Sequence, residues 1–89
     1  MLYRIEILPS AVRELAGIQD VFRKRIAKAI DGLSKDPRPR GARLLEAARG
    51  ILRIRVGDYR VLYQVRHDRL IILVIRIGHR REIYRRLNR

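Results

Sequence analysis

The sequence lacks cysteine and tryptophan, and it contains few prolines, glycines and acidic residues. The absence of cysteine excludes a disulfide scaffold, a Cys-based zinc site and a Cys nucleophile. With only three prolines and six glycines, and with 47% hydrophobic residues, the chain is unlike a disordered basic tail. That much apolar surface offsets the entropy that the chain loses on folding. We therefore expect one folded domain, residues 1–89, with a single core.

Signal peptides and membrane spans have no counterpart in the sequence. The longest apolar run, residues 70–75, is far shorter than the roughly 20 residues that a membrane helix needs. Residues 2–8 alternate apolar and polar side chains, which the apolar region of a signal peptide does not do. We expect a soluble, cytoplasmic protein with no membrane partner.

Metal-binding and cofactor-binding patterns are missing as well. The two histidines, His67 and His79, and the scattered carboxylates lack the spacing of metal ligands. The six glycines are dispersed and form no phosphate-binding loop. The sequence therefore predicts neither a metal nor a cofactor.

Arginine is what the sequence has in excess. Lys and Arg number 22 against 9 Asp and Glu, which gives a formal net charge of +13, and only three of these cations are Lys. Such a charge is either solvated or neutralised by an anionic partner. The planar fork of Arg suits bidentate contacts to phosphate, whereas Lys acts as a point charge. The base composition of the genome is an alternative explanation for the excess, and composition alone does not separate the two.

Hydrophobic periodicity predicts a strand and a helical hairpin in the first part of the chain. The strand covers residues 2–8, and Ser10 is placed to cap a helix over about residues 11–17. The inner face of this helix would carry Val12, Leu15 and Ala16. A longer helix begins near Asp20 and ends at the proline-containing segment 36–41. Its apolar stripe consists of Phe22, Ile26, Ala29, Ile30 and Leu33.

The rest of the chain is predicted to be a three-stranded antiparallel meander with a short C-terminal helix. A half-turn is expected before the meander, at Leu44, Leu45 and Ala47. The strands cover residues 51–56, 59–66 and 69–77, and the helix covers residues 79–88. With the N-terminal strand and the helical hairpin, this gives an α+β fold.

The first hairpin loop, Gly57-Asp58, brings arginines together. A two-residue loop at this position places Arg55 directly opposite Arg60, with Arg53 on the same face. Opposed like charges destabilise a sheet, so three converging arginines favour an anion site over a merely solvated face. A register slip of one residue would remove this inference.

The second hairpin loop, His67-Asp68, is also expected to contain two residues and to pair Val65 with Leu70. The third strand is then apolar on both faces, which indicates a central position in the sheet. One face of the meander forms the core under the helices, with Leu52, Ile54, Val56, Tyr59, Val61, Tyr63, Val65, Leu70, Ile72 and Val74. The arginine side carries a further apolar patch of Ile71, Leu73, Ile75 and Ile77.

Two stretches carry a resemblance to a known family. They are residues 52–63, Leu-Arg-Ile-Arg-Val-Gly-Asp-Tyr-Arg-Val-Leu-Tyr, and residues 77–84, Ile-Gly-His-Arg-Arg-Glu-Ile-Tyr. Together with the order of elements they resemble the RelE/ParE superfamily of type II toxins, on the RelE side. The resemblance implies a microbial-RNase-like fold and a metal-independent, ribosome-dependent endoribonuclease that cuts mRNA in the A site of the 70S ribosome. It also implies a cognate RelB-like antitoxin, with which a toxin can form a heterotetramer.

The resemblance assigns roles residue by residue. Arg53, Arg55 and Arg60 would hold the scissile phosphate, and Arg80 would stabilise the leaving 5′-oxygen. Tyr84 is the candidate base for the attacking 2′-hydroxyl, and His79 is the second candidate because its ordinary pKa suits proton transfer near neutrality.

This sequence departs from the family at two of these positions. The best-studied members have lysine where Arg53 and Arg55 stand here. Arginine keeps the charge and the grip on phosphate but is a poorer proton donor or acceptor.

Two other functions are compatible with the sequence. A ParE-like poison of DNA gyrase would share the fold, although it has no need for a phosphate-gripping set of side chains. A non-catalytic basic RNA- or ribosome-binding module would share the charge. The apolar patch next to the arginines needs a cover, which the terminal segment and an antitoxin would provide.

Overall fold

The computed structural model of the protein describes residues 2–79 and has two α-helices packed on one face of a five-stranded sheet. The helices are α1 (Pro9–Ala16) and α2 (Asp20–Gly32). The strands are β1 (Arg4–Ile7), β2 (Arg43–Glu46), β3 (Ile51–Val56), β4 (Tyr59–Arg66) and β5 (Ile71–His79). These elements confirm the α+β fold. Of the helix expected at 79–88, only His79 is described, and it ends β5.

The strands lie in the order β1-β5-β4-β3-β2. The N-terminal strand β1 runs parallel to β5, and the other neighbouring pairs are antiparallel. Strand β5 therefore has a neighbour on each side, as its apolar sequence predicts.

The register of the first hairpin is confirmed. Val56 pairs with Tyr59, and Arg55 pairs with Arg60. Gly57 makes the tight turn possible because its φ of 61° lies in the left-handed region, which residues with a Cβ seldom adopt.

The register predicted for the second hairpin is wrong by two residues. Val65 pairs with Ile72 and not with Leu70, so the loop contains the four residues 67–70. The carbonyl of Leu70 instead accepts a hydrogen bond from the Arg4 N–H at 2.8 Å, which ties Leu70 to β1. A shift of two residues leaves the side chains of residues 71–74 on their predicted faces, whereas Leu70, predicted to lie in this strand on the core face, belongs to the loop.

A β-bulge then changes the faces near the end of β5. Tyr63 pairs with Val74 and Leu62 pairs with Arg76, so Ile75 is an extra residue in β5. As a result Ile77 pairs with Val61 and is buried in the core beneath the helices. The prediction that Ile77 lies on the arginine side is therefore wrong.

The segment before the meander also differs from the prediction. Leu44 and Leu45 belong to the edge strand β2, and residues Ala47–Arg49 form a 3₁₀ turn, where a half-turn over all of this segment was expected. The strand forms because Arg43 and Leu44 pair with Arg53 and Leu52 of β3.

The helices cover the sheet much as their sequence pattern predicts. Ile26, Ile30 and Leu33 of the predicted stripe are buried. In α1 the buried residue is Ala11, and Leu15 is partly buried against the core, whereas Val12 and Ala16 are exposed. The predicted inner face of this helix is therefore right at Leu15 and wrong at Val12 and Ala16. Ser10 makes no capping hydrogen bond, so that prediction is wrong. No helix within residues 2–79 has the length and apolar character to cross a membrane.

Candidate functional site

The arginine face, defined by Arg53, Arg55 and Arg60, lies on the side of the sheet turned away from the helices. Arg55 and Arg60 are direct partners across β3 and β4, and Arg53 lies two residues earlier in β3 on the same side. Their sequence neighbours Leu52, Ile54 and Val61 belong to the core under the helices. Because side chains alternate along a strand, the arginines point to the opposite face.

Arg60 is the most constrained of the three. Only 5% of its surface is exposed. Its Nη1 donates to the carbonyl oxygens of Gly57 and Tyr59, each at 3.2 Å, which holds the guanidinium against the hairpin turn. Its buried Nε has no hydrogen-bond partner in the part of the chain that the structure describes. A buried charge without a full set of partners is costly, so this group is suited to receive an anion.

Arg53 and Arg55 complete a surface of one charge sign. Arg53 is half-buried and its Nε also lacks a partner among residues 2–79, whereas Arg55 is exposed. Within the same residues, none of the three arginines forms an ion pair with a carboxylate. As far as residues 2–79 show, the face therefore offers guanidinium forks without a neutralising carboxylate, the geometry that grips phosphate bidentately.

A concave surface adjoins the arginine face at the end of β3. Arg55 lines a cavity of about 440 Å³ between this strand, the C-terminal end of α2 and the loop before β2. The other lining residues are Ala29, Gly32, Asp36, Pro39, Arg40, Gly41 and Ile54. The cavity exists because β2 pairs with β3 only as far as Arg53, which leaves the rest of that strand edge open.

His79 lies on the other side of the sheet. It pairs with Tyr59, and the two rings meet edge to face with centroids 5.9 Å apart. Tyr59 packs against the helix-covered core, whereas Arg60 pairs with Gly78. The bulge at Ile75 thus separates His79 from the arginine face.

The remaining predicted site residues, Arg80 and Tyr84, lie outside the described residues, and their part in the site stays a prediction.

The sequence did not reveal one member of this region, Arg43. In β2 it pairs directly with Arg53, and its side chain is exposed. The signal for β2 is weak because the strand has four residues and its two leucines are adjacent. Gly50, at a left-handed φ of 65°, marks the return into β3 and was the one available indication of a hairpin here.

Metal ligation is not evident in the described part of the chain. Residues 2–79 contain no group of three or more His, Asp or Glu side chains that could hold a metal ion.

The sequence and the fold of this chain are similar to those of known toxins from bacteria and archaea. A family model described as the ParE toxin of the type II toxin-antitoxin system parDE matches residues 5–84. Toxin RelG of Mycobacterium tuberculosis is 29% identical over 87 residues, which are 97% of this chain and 100% of that protein.

Solved structures agree with this relationship. In the RelE-RelB complex of Pyrococcus horikoshii, one chain matches with a TM-score of 0.81 and 29% identity, covering 92% of this chain and 99% of that one. The RelB-RelE complex of Methanococcus jannaschii gives a TM-score of 0.71 and 26% identity over 88% of this chain and 93% of that one.

Proposed function

Since the chain belongs to the RelE/ParE superfamily of type II toxins, we propose that it is a ribosome-dependent endoribonuclease that cleaves mRNA in the A site. The observation that carries this proposal is the Arg55–Arg60 pair, opposed across two strands and left without a carboxylate partner among residues 2–79. A toxin that acts only by binding a protein has no need for such a pair. A phosphodiester is the anion that this geometry fits.

The proposed reaction is attack of an mRNA 2′-hydroxyl on the adjacent phosphate. The bond from the 2′-oxygen to phosphorus forms as the bond to the 5′-oxygen breaks, which leaves a 2′,3′-cyclic phosphate and a 5′-hydroxyl. Arg53, Arg55 and Arg60 would stabilise the charge that develops on the phosphoryl oxygens. Tyr84, as its anion, would take the proton of the 2′-hydroxyl. Arg80 would stabilise the leaving 5′-oxygen, which would take up a proton from solvent water to become the 5′-hydroxyl.

Such a set of groups makes a weak nuclease on its own. An ordinary tyrosine has a pKa of about 10, so its anion needs nearby cations. A single acid or base group contributes roughly 10²–10⁴-fold to a rate. We therefore expect slow cleavage of free RNA and a requirement for the ribosome to position the message.

An antitoxin partner is part of the proposal. The similar chains from Pyrococcus horikoshii and Methanococcus jannaschii are each described in complex with a RelB. On the arginine side of this sheet, Ile71 and Leu73 are half-buried apolar residues that a partner could cover. We expect the product of a neighbouring gene to co-purify with the toxin as a RelB-like antitoxin, in a heterotetramer or a smaller complex. A stable, non-toxic monomer without a partner would contradict this expectation.

A second candidate is a ParE-like poison of DNA gyrase, which the description of the matching family model favours. A third is a basic RNA- or ribosome-binding module without catalysis, which the net charge of +13 allows. The buried Nε atoms of Arg53 and Arg60, which lack a partner among residues 2–79, do not favour the gyrase poison, because binding a protein needs no anion site. The binding module would use them to hold phosphate as the nuclease would, so only a cleavage assay separates these two functions.

Primer extension on mRNA from translating ribosomes, incubated with purified protein, separates the three functions. The nuclease predicts that the wild type creates new primer-extension stops at A-site codons, each marking the 5′ end of a downstream fragment. Arg55→Ala should remove them. Arg25→Ala should not, because Arg25 is also an exposed arginine but lies on α2, on the other side of the sheet. Intact mRNA with DNA breaks would support the gyrase poison. Intact mRNA without DNA breaks would support the binding module.

A further inference from the structure

Arg43 extends the arginine face onto a third strand. It pairs with Arg53 across β2 and β3, while Arg55 pairs with Arg60 across β3 and β4. Cross-strand partners share a face, so all four side chains belong to the same side of the sheet. Three neighbouring strands thus carry two like-charge pairs, with Arg53 and Arg55 on the shared strand.

The sheet itself does nothing to neutralise Arg43. The nearest acidic residue along the chain, Glu46, is paired with Arg49 at 3.5 Å. Within residues 2–79 Arg43 makes neither an ion pair nor a side-chain hydrogen bond. Like charges placed directly opposite each other destabilise a sheet, and this cost disappears when an anion lies between them.

The spacing of the strands sets the size of that anion. Neighbouring strands lie about 4.8 Å apart, so the step from β4 to β2 is roughly 10 Å. A single phosphate is small compared with this distance between the backbones that carry Arg60 and Arg43. An extended polyanion whose backbone crosses the strands fits it better.

We propose that Arg43 binds the phosphate next to the one held by Arg55 and Arg60, so that a single-stranded nucleic acid crosses the sheet from β4 to β2. The proposal rests on the proposed function for the identity of the substrate. It adds a binding residue that serves affinity for the RNA backbone and not the chemical step. It also predicts a minimum substrate with two consecutive phosphates at the arginine face.

The test is equilibrium binding of a single-stranded oligodeoxynucleotide, which has no 2′-hydroxyl and cannot be cleaved by the proposed reaction. Affinity is measured at several salt concentrations for the wild type, Arg43→Ala, Arg43→Lys and the control Arg25→Ala. The slope of log K against log salt should fall by about 0.7 in Arg43→Ala, the value for one phosphate contact on a single strand. Arg43→Lys keeps the charge and should keep the slope. Arg25→Ala loses the same charge from α2 and should match the wild type.

Several results would overturn the proposal. These are an unchanged slope in Arg43→Ala, an equal fall in Arg25→Ala, or a wild type that does not bind the oligonucleotide. Thermal unfolding of Arg43→Ala tests for a folding defect. The variant lacks one of two opposed cations, so its melting temperature should be unchanged or slightly higher than that of the wild type. Failure of the ribosome assay alone would reject the nuclease and leave the result for Arg43 standing, so the two failures are distinguishable.

Discussion

Glu14 of α1 holds the end of β5 through two contacts made by one carboxylate. Its Oε2 accepts a hydrogen bond from Arg76 Nη2 at 2.7 Å, and its Oε1 accepts one from the Ile77 N–H at 3.0 Å. Strand β1 ends opposite Val74, so the edge of β5 beyond that residue has no strand neighbour on this side. The carboxylate takes the place of that missing strand directly after the bulge.

This arrangement predicts a large effect of Glu14→Ala on stability. Both side chains of the Glu14–Arg76 pair are about one-fifth exposed, at 22% and 19%. A hydrogen bond to a charged group contributes about 1.5–3 kcal/mol, so we expect a loss of about 2 kcal/mol in the free energy of unfolding, measured with urea. The control is Glu6→Ala, which removes an exposed pair with Arg4 and should cost less than about 1 kcal/mol. Equal losses in the two variants would contradict the prediction.

Tyr63 predicts how stability depends on alkaline pH. Burial raises the pKa of its phenol to about 12, Arg38 opposes this rise and Asp36 adds to it, and the hydroxyl donates to the Pro37 carbonyl at 2.7 Å. The unfolded chain releases this proton near pH 10. The free energy of unfolding that the protonated Tyr63 phenol contributes is therefore fully present below pH 10. It is lost between about pH 10 and 12, at up to about 1.4 kcal/mol per pH unit.

The comparison with Tyr63→Phe isolates this titration from all others. The variant lacks the ionisable group, and it should lose about 1 kcal/mol at pH 7 with the hydrogen bond. Its unfolding free energy should then meet that of the wild type at about pH 11 and exceed it at higher pH, because the wild type loses more than the variant's initial deficit. Curves that stay parallel over this range would show that the Tyr63 phenol does not carry the effect.

Arg60 and Arg55 should respond differently to truncation. Both variants, Arg60→Ala and Arg55→Ala, should relieve growth arrest on expression, since each removes a proposed phosphate contact. Arg60 also bonds the carbonyls of Gly57 and Tyr59, so Arg60→Ala should in addition lower the free energy of unfolding by about 1–2 kcal/mol. Arg55 is exposed, and its variant should unfold like the wild type. Full toxicity of both soluble variants would reject the arginine face as the site.

The pairing of Arg55 with Arg60 was predictable from the sequence because its signals are local. The turn at Gly57 fixes the register of the first hairpin, and alternation along β3 and β4 then assigns the faces. The stripe of α2 is equally local, since it needs only the helical period.

The placement of His79 was not predictable. Residues 70–75 are all apolar, so periodicity gives no sign of the bulge at Ile75 that moves later residues to the other face. Arg43 was missed for a different reason. Strand β2 is a short edge strand that exists through its pairing with β3, and such tertiary pairing leaves little trace in four residues.

The position of His79, away from the arginine face, favours Tyr84 over His79 as the proposed general base. Because it shares a face with Tyr59 and not with Arg60, we expect His79→Gln to retain cleavage of ribosome-bound mRNA within about tenfold. Tyr84→Phe should lower the single-turnover rate by roughly 10²–10⁴-fold, the range for the loss of one acid or base group. Arg80→Ala should also relieve growth arrest, because the variant lacks the cation proposed to stabilise the leaving oxygen. The opposite ranking, with His79→Gln inactive and Tyr84→Phe active while both remain folded, would transfer the role of base to His79.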